Sequence, residues 1–217
     1  MQTAVWILLG VALGAGCGCG ALIWAHKMLK SRGRKEAVSP SAWLVCVIAA
    51  AVCGGVIGFC TGQWLPMTAS LAILTTSFAT AISDWLCRII PNPTVLVVFA
   101  VKLFLVAAAL LHIPDAPPME ILSSLGGMAT CFLLFSAPGL MGKQVGAGDI
   151  KLATAMGFLL GFNGALVAVA IMGILILGYS IVQQKIPMLA FLKTNIPMGP
   201  FIAAGIMIAF MVPYLPL

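Results

Sequence analysis

Charge is nearly absent from this sequence. Asp, Glu, Lys and Arg make up 7% of its 217 residues, against roughly 25% in a soluble domain. So few charged side chains cannot give a 22.5 kDa chain a water-facing surface. An ordinary soluble enzyme, a disordered chain and a nucleic-acid-binding domain are excluded on that ground. Histidine is scarce too, with only His26 and His112. The seven cysteines are Cys17, Cys19, Cys46, Cys53, Cys60, Cys87 and Cys131. Most fall inside apolar runs, and no C-x-x-C pair occurs. A structural zinc site needs four clustered Cys or His ligands, so no metal and no cofactor is expected. The cysteines read as small packing residues. No Lys or Arg precedes the first apolar stretch, as a secretory leader would require, so that stretch is expected to be a retained membrane helix.

Apolar residues fill the space that charge leaves. They form 62% of the chain, and the mean hydropathy is +1.17. Apolar runs fall at about 4–25, 43–60, 66–83, 94–113, 121–140, 150–161, 164–182 and 198–215. A membrane helix needs about 20 such residues. The expected fold is all-α, a polytopic membrane helix bundle of about eight transmembrane helices. The sixth run is short, which leaves six or seven open. The expected organisation is two N-terminal helices with a basic cytoplasmic loop over 1–65, then a six-helix core over 66–217. The bilayer is the expected partner, nucleic acid is not, and the oligomeric state is open.

Eleven Lys and Arg stand against five Asp and Glu, and their placement sets an orientation. The segment 26–41 holds Lys27, Lys30, Arg32, Arg34 and Lys35, which makes it cytoplasmic by the positive-inside rule. Alternation then puts Arg88, Lys143, Lys151, Lys185 and Lys193 on the same face, with Asp115 and Glu120 opposite. Lys102 is the exception, inside the fourth run. It either snorkels or faces a wet cleft near other polar groups.

With five acids, each can be weighed. Glu36, Asp115 and Glu120 lie in connecting segments and read as solvated. Asp84 closes the third apolar run and Asp149 opens the sixth. Both fall at the same expected cytoplasmic level, and an ionisable residue at membrane depth is a candidate functional site. Two carboxylates in contact cannot both ionise, and a pair sharing a proton can activate water. Gly146-Ala147-Gly148-Asp149-Ile150-Lys151 sets two glycines before one acid, which lets backbone or a substrate strand come close. After the other acid, Arg88 is placed to pair with Asp84 if the helix continues. Pro91-Asn92-Pro93 is expected to stop that helix. Lys151 reads as an interfacial anchor or as support for Asp149. Pro197 and Pro200 shape the start of the last helix.

These motifs resemble those of the type IV prepilin peptidases, the leader peptidases. Gly146 to Lys151 is similar to their G-x-G-D-x-K motif. The segment Asp84 to Asn92, ending Ile90-Pro91-Asn92, is similar to their first catalytic Asp followed by a basic residue and I-P-N. Ile196-Pro197-Met198-Gly199-Pro200-Phe201 is similar to their I-P-x-G-P-[FY] element. The resemblance implies a membrane aspartic endopeptidase with Asp84 and Asp149 catalytic. It implies site support from Gly146, Gly148, Lys151, Arg88 and Asn92, and substrate presentation by Pro197, Gly199 and Pro200, while Lys102 is a supporting candidate from its depth in the fourth run alone. It further implies prepilin or pseudopilin substrates, cut at the cytoplasmic face of a bacterial inner membrane. The cysteine-rich cytoplasmic insert of many family members, which goes with zinc binding and N-methylation, is missing from 26–41. From the residues alone, a transporter or assembly subunit using Asp84 and Asp149 as a proton or cation relay stays open.

Overall fold

The computed structural model describes residues 2–33, 38–112, 119–140, 146–182 and 197–214. Arg34, Lys35, Glu36, Asp115, Lys143, Lys185, Lys193 and Ile196 lie outside the described residues. Among the described residues the chain is helical and has no strand. The order is α1 (Gln2–Ser31), α2 (Pro40–Thr61), α3 (Trp64–Cys87), α4 (Asn92–His112), α5 (Met119–Leu140), α6 (Ala147–Val182) and α7 (Gly199–Met211), ending in a 3₁₀ turn, Val212–Tyr214.

Among the described residues six helices, α1 to α6, are long and apolar enough to cross a membrane, and α7 is shorter. The count of eight is not confirmed, since the sixth and seventh apolar runs lie in one element, α6, in which two helices meet at a kink. α6 is broken at Gly161, whose φ of 71° and ψ of −178° are not helical. Only glycine adopts that conformation readily. The break frees the N–H of Phe162, which donates to Ser123 Oγ on α5 at 3.1 Å. An unbroken helix of 36 residues would be about 54 Å long. Instead both ends of α6 come back to one level: Asp149 lies within electrostatic reach of Asp84, and Tyr179 packs edge-on against Phe201 in the first turn of α7, with ring centroids 5.6 Å apart.

α1 also outruns its expected end. The chain stays helical to Ser31, so Lys27 and Lys30 belong to the helix, where cations near the C-terminus suit the helix dipole. The expected basic loop shrinks accordingly. Ser39 then caps α2, its Oγ accepting from Ala42 N–H at 3.3 Å, with Pro40 in the first turn.

In lipid, helices gain little from burying apolar surface against each other and depend on close backbone approach. α1 and α2 follow that rule. A Cβ added at Gly14 would lie 2.5 Å from the Ala50 carbonyl oxygen and 2.8 Å from Gly54 Cα.

α3 is the centre of the bundle and touches α1, α2, α4 and α7. Its buried face carries Ser70, Thr76, Ser77, Thr80 and Ser83 along with Asp84. The hydroxyls of Ser70, Thr76, Thr80 and Ser83 bond back to carbonyls one turn earlier at 2.7–2.9 Å. That satisfies them without a partner helix. The main core joins α3, α4, α6 and α7 through Ile73, Val98, Leu152, Met156, Ile202 and Ile206. This packing sets the Asp84 end of α3 against the starts of α6 and α7.

Candidate active site

Asp84 sits in the last turn of α3 and is 5% exposed. The helix stops just beyond it because Arg88 turns left-handed, at φ 54° and ψ 42°. Arg88 N–H donates to the Asp84 carbonyl at 2.8 Å. The helical Asp84–Arg88 pairing therefore does not form, although the Arg88 charge still acts on the Asp84 carboxylate. Arg88 is the one non-glycine residue with positive φ among the described residues. Pro91-Asn92-Pro93 does not merely stop α3. It starts α4, where the missing N–H of a proline in the first turn is not needed. The Pro91 carbonyl accepts from Thr94 Oγ1 at 2.7 Å and from its N–H at 3.2 Å.

Asp149 enters from the other side. Gly146 C=O accepts from Ile150 N–H at 3.2 Å, the first bond of α6. Gly146 is thus the N-cap, and Asp149 falls in the first helical turn. Each glycine of the motif has close company. A Cβ on Gly148 would sit 3.0 Å from Ile90 Cβ, and one on Gly146 would sit 2.5 Å from Asp149 Oδ2. The Gly148–Ile90 contact joins the second motif to the I-P-N of the first. The charge on Asp84 acts on Asp149. Asp149 Oδ1 is buried with no hydrogen-bond partner among the described residues.

The third motif completes the cluster. Gly199, buried at the start of α7, donates its N–H to Asp84 Oδ2 at 2.8 Å. The structure therefore brings Asp84, Asp149, Gly146, Gly148 and Gly199 together. Pro197 and Pro200 flank Gly199 and are half-buried. Asn92, Arg88 and Lys151 are exposed, Asn92 heading α4 and Lys151 in the first turns of α6. Lys102 is half-buried within α4. Ile90 gains a role that its quoted motif did not assign, as the surface against which Gly148 packs. Two carboxylates from separate helices, one held by an N–H and one with a free buried oxygen, can hold a water and exchange its protons. Among the described residues, no group of three or more His, Cys, Asp and Glu could hold a metal ion.

A sequence model of the type IV leader peptidase family matches residues 71–181. The match covers just over half of the chain and includes Asp84, Ile90 to Asn92, and Gly146 to Lys151. The chain belongs to the type IV leader peptidase family. Membership makes it a peptidase, and the long apolar helices make it a multi-pass membrane protein. Pilin-like substrates follow from the family. No curated protein and no solved structure matches the chain. In this leader peptidase, α7 lies beyond the matched residues, so the contact of Gly199 with Asp84 is known from the fold and not from the family match.

Proposed function

We propose that the chain is an aspartic endopeptidase with Asp84 and Asp149 as its catalytic pair. It removes the leader of prepilin- or pseudopilin-type substrates at the cytoplasmic face of a bacterial inner membrane. The pair shares one proton and holds a water. One carboxylate takes a proton from that water as its oxygen attacks the scissile carbonyl. The other, protonated, gives its proton to the carbonyl oxygen. When the tetrahedral adduct collapses, a proton passes to the leaving amine and the pair returns to its starting state.

The observation that carries this reading is the buried Oδ1 of Asp149, without a hydrogen-bond partner among the described residues and within reach of the Asp84 charge. Buried polar atoms are nearly always hydrogen-bonded, and an exception beside a second carboxylate suits a group that must accept from a water. In this reading 66–217 is the peptidase core. Gly146 and Gly148 shape the seat of Asp149, and Arg88, Asn92, Lys102 and Lys151 are supporting groups. Pro197 and Pro200 help to present the substrate strand.

The test is cleavage of a prepilin by purified protein. Asp84→Asn and Asp149→Asn should each abolish it while leaving the protein folded, since an amide cannot take a proton from water. The double variant should be no worse than either single one, as for groups that act as a unit. Substantial cleavage by either single variant would sink the aspartic mechanism and restore the relay.

A further inference from the structure

The start of a helix leaves its first N–H groups without helical partners. In α7 those groups are nearly all accounted for. Phe201 and Ile202 both donate to the Met198 carbonyl, at 3.1 and 3.0 Å. Residue 200 is proline and has no N–H to satisfy. The remaining donor of the turn is the Gly199 N–H, and it points at Asp84 Oδ2 from 2.8 Å, across 115 residues of sequence. Both residues are buried, so water does not compete for the bond.

The approach leaves no room for a side chain. A Cβ at 199 would lie 2.7–2.8 Å from Cβ, Cγ and Oδ2 of Asp84. The contact thus requires a first residue of α7 without a Cβ.

We propose that Gly199 is a positioning residue for the catalytic pair. This rests on the aspartic reading above. A carboxylate turns about its own Cβ–Cγ bond, and one oxygen pinned by a backbone donor stops that rotation. Oδ2 of Asp84 is thereby fixed as an acceptor, and Oδ1 is the oxygen left to work with Asp149 and the water. The pair is asymmetric: Asp84 is tied to α7, while the buried Oδ1 of Asp149 has no donor among the described residues. The motif at 197–200 then acts on the enzyme's own acid, in addition to any hold on the substrate.

The experiment compares kcat and KM for prepilin cleavage by the full chain in lipid nanodiscs. Glycolic acid in place of Gly199 turns one amide into an ester. It removes the N–H and adds no atom. The expected result is a kcat lower by about 10-fold or more, as for a lost hydrogen bond to a charged group, with KM unchanged. Gly199→Ala, which keeps the N–H but crowds Asp84, should also lower kcat without raising KM, and it serves if the ester variant does not fold. An unchanged kcat in either folded variant overturns the inference. So does a raised KM with kcat intact, which would make Gly199 a substrate contact only. Asp84→Asn separates the two levels of the argument. If that variant still cleaves, the aspartic reading has failed. If it is inactive while the ester variant is fully active, only the role of Gly199 has failed.

Discussion

Gly148→Ala tests whether the seam between the two catalytic motifs fixes the geometry of Asp149. The added methyl would sit 3.0 Å from Ile90 Cβ, with Cγ1 and Cδ1 at 3.5 and 3.7 Å. Carbon atoms at their optimum stand about 3.5–4.0 Å apart, so Ile90 or the segment bearing Gly148 must give by a few tenths of an ångström. Asp149 is the next residue and moves with that segment. A misplacement of about 1 Å can lower a rate by about 100-fold, so a shift of a few tenths of an ångström should lower kcat for prepilin cleavage by about 4- to 10-fold. Overpacking of this kind also costs about 1–3 kcal/mol of stability, so cleavage is to be measured on protein shown to be folded by thermal melting. The obstacle is the Cβ of Ile90 itself. Ile90→Gly should therefore restore activity to Gly148→Ala, whereas Ile90→Ala, which keeps that atom, should restore much less. Full activity of folded Gly148→Ala would refute the reasoning, and so would equal rescue by the two Ile90 variants.

Gly54→Val places a side chain against Gly10 and Gly14. It should separate α1 from α2 and lower the melting temperature measured in detergent. Ser123→Ala removes the acceptor of the Phe162 N–H at the break in α6. It should destabilise the folded state by about 1 kcal/mol, read from denaturant titration, and no change would mean that water replaces the hydroxyl. The orientation is checked by Gly33→Cys, which a membrane-impermeant thiol reagent should fail to label in intact cells. Strong labelling would move the proposed site to the wrong face.

The sequence reveals the candidate site better than it does the path of the chain. Asp84 and Asp149 are conspicuous because a carboxylate beside a long apolar run is expensive to keep. The glycines before Asp149 are conspicuous because they stand in a charged corner of an apolar chain. Boundaries are less legible. Lys27 and Lys30 look like loop residues, yet their long apolar stems allow them to end a helix. Gly161 is one glycine among 23, and nothing local separates it from those that pack straight helices. Arg88 in a left-handed conformation carries no signal, since that position favours glycine. Pro91-Asn92-Pro93 marks a boundary plainly, but proline serves the start of a helix as well as the end of one. The bond from Gly199 to Asp84 depends on α3 and α7 meeting across 115 residues of sequence, which no local pattern encodes.

The contact between α1 and α2 bears on how the protein is made. It is a backbone contact built from Gly10, Gly14, Gly54 and neighbouring residues, and it asks nothing of the later helices. Both partners leave the ribosome before α3. They can close as a hairpin in the bilayer while the segment bearing Asp84 is still being synthesised, in keeping with helices that insert first and associate afterwards. α3 then docks on a finished surface through Ala79 and Ile82 against Ala21, Leu22 and Ala25. Asp84, at the far end of α3, enters the membrane with one side of its helix already covered. Asp149, in the first turn of α6, is made only after α5, so the two acids cannot meet until more than half of the chain has been built.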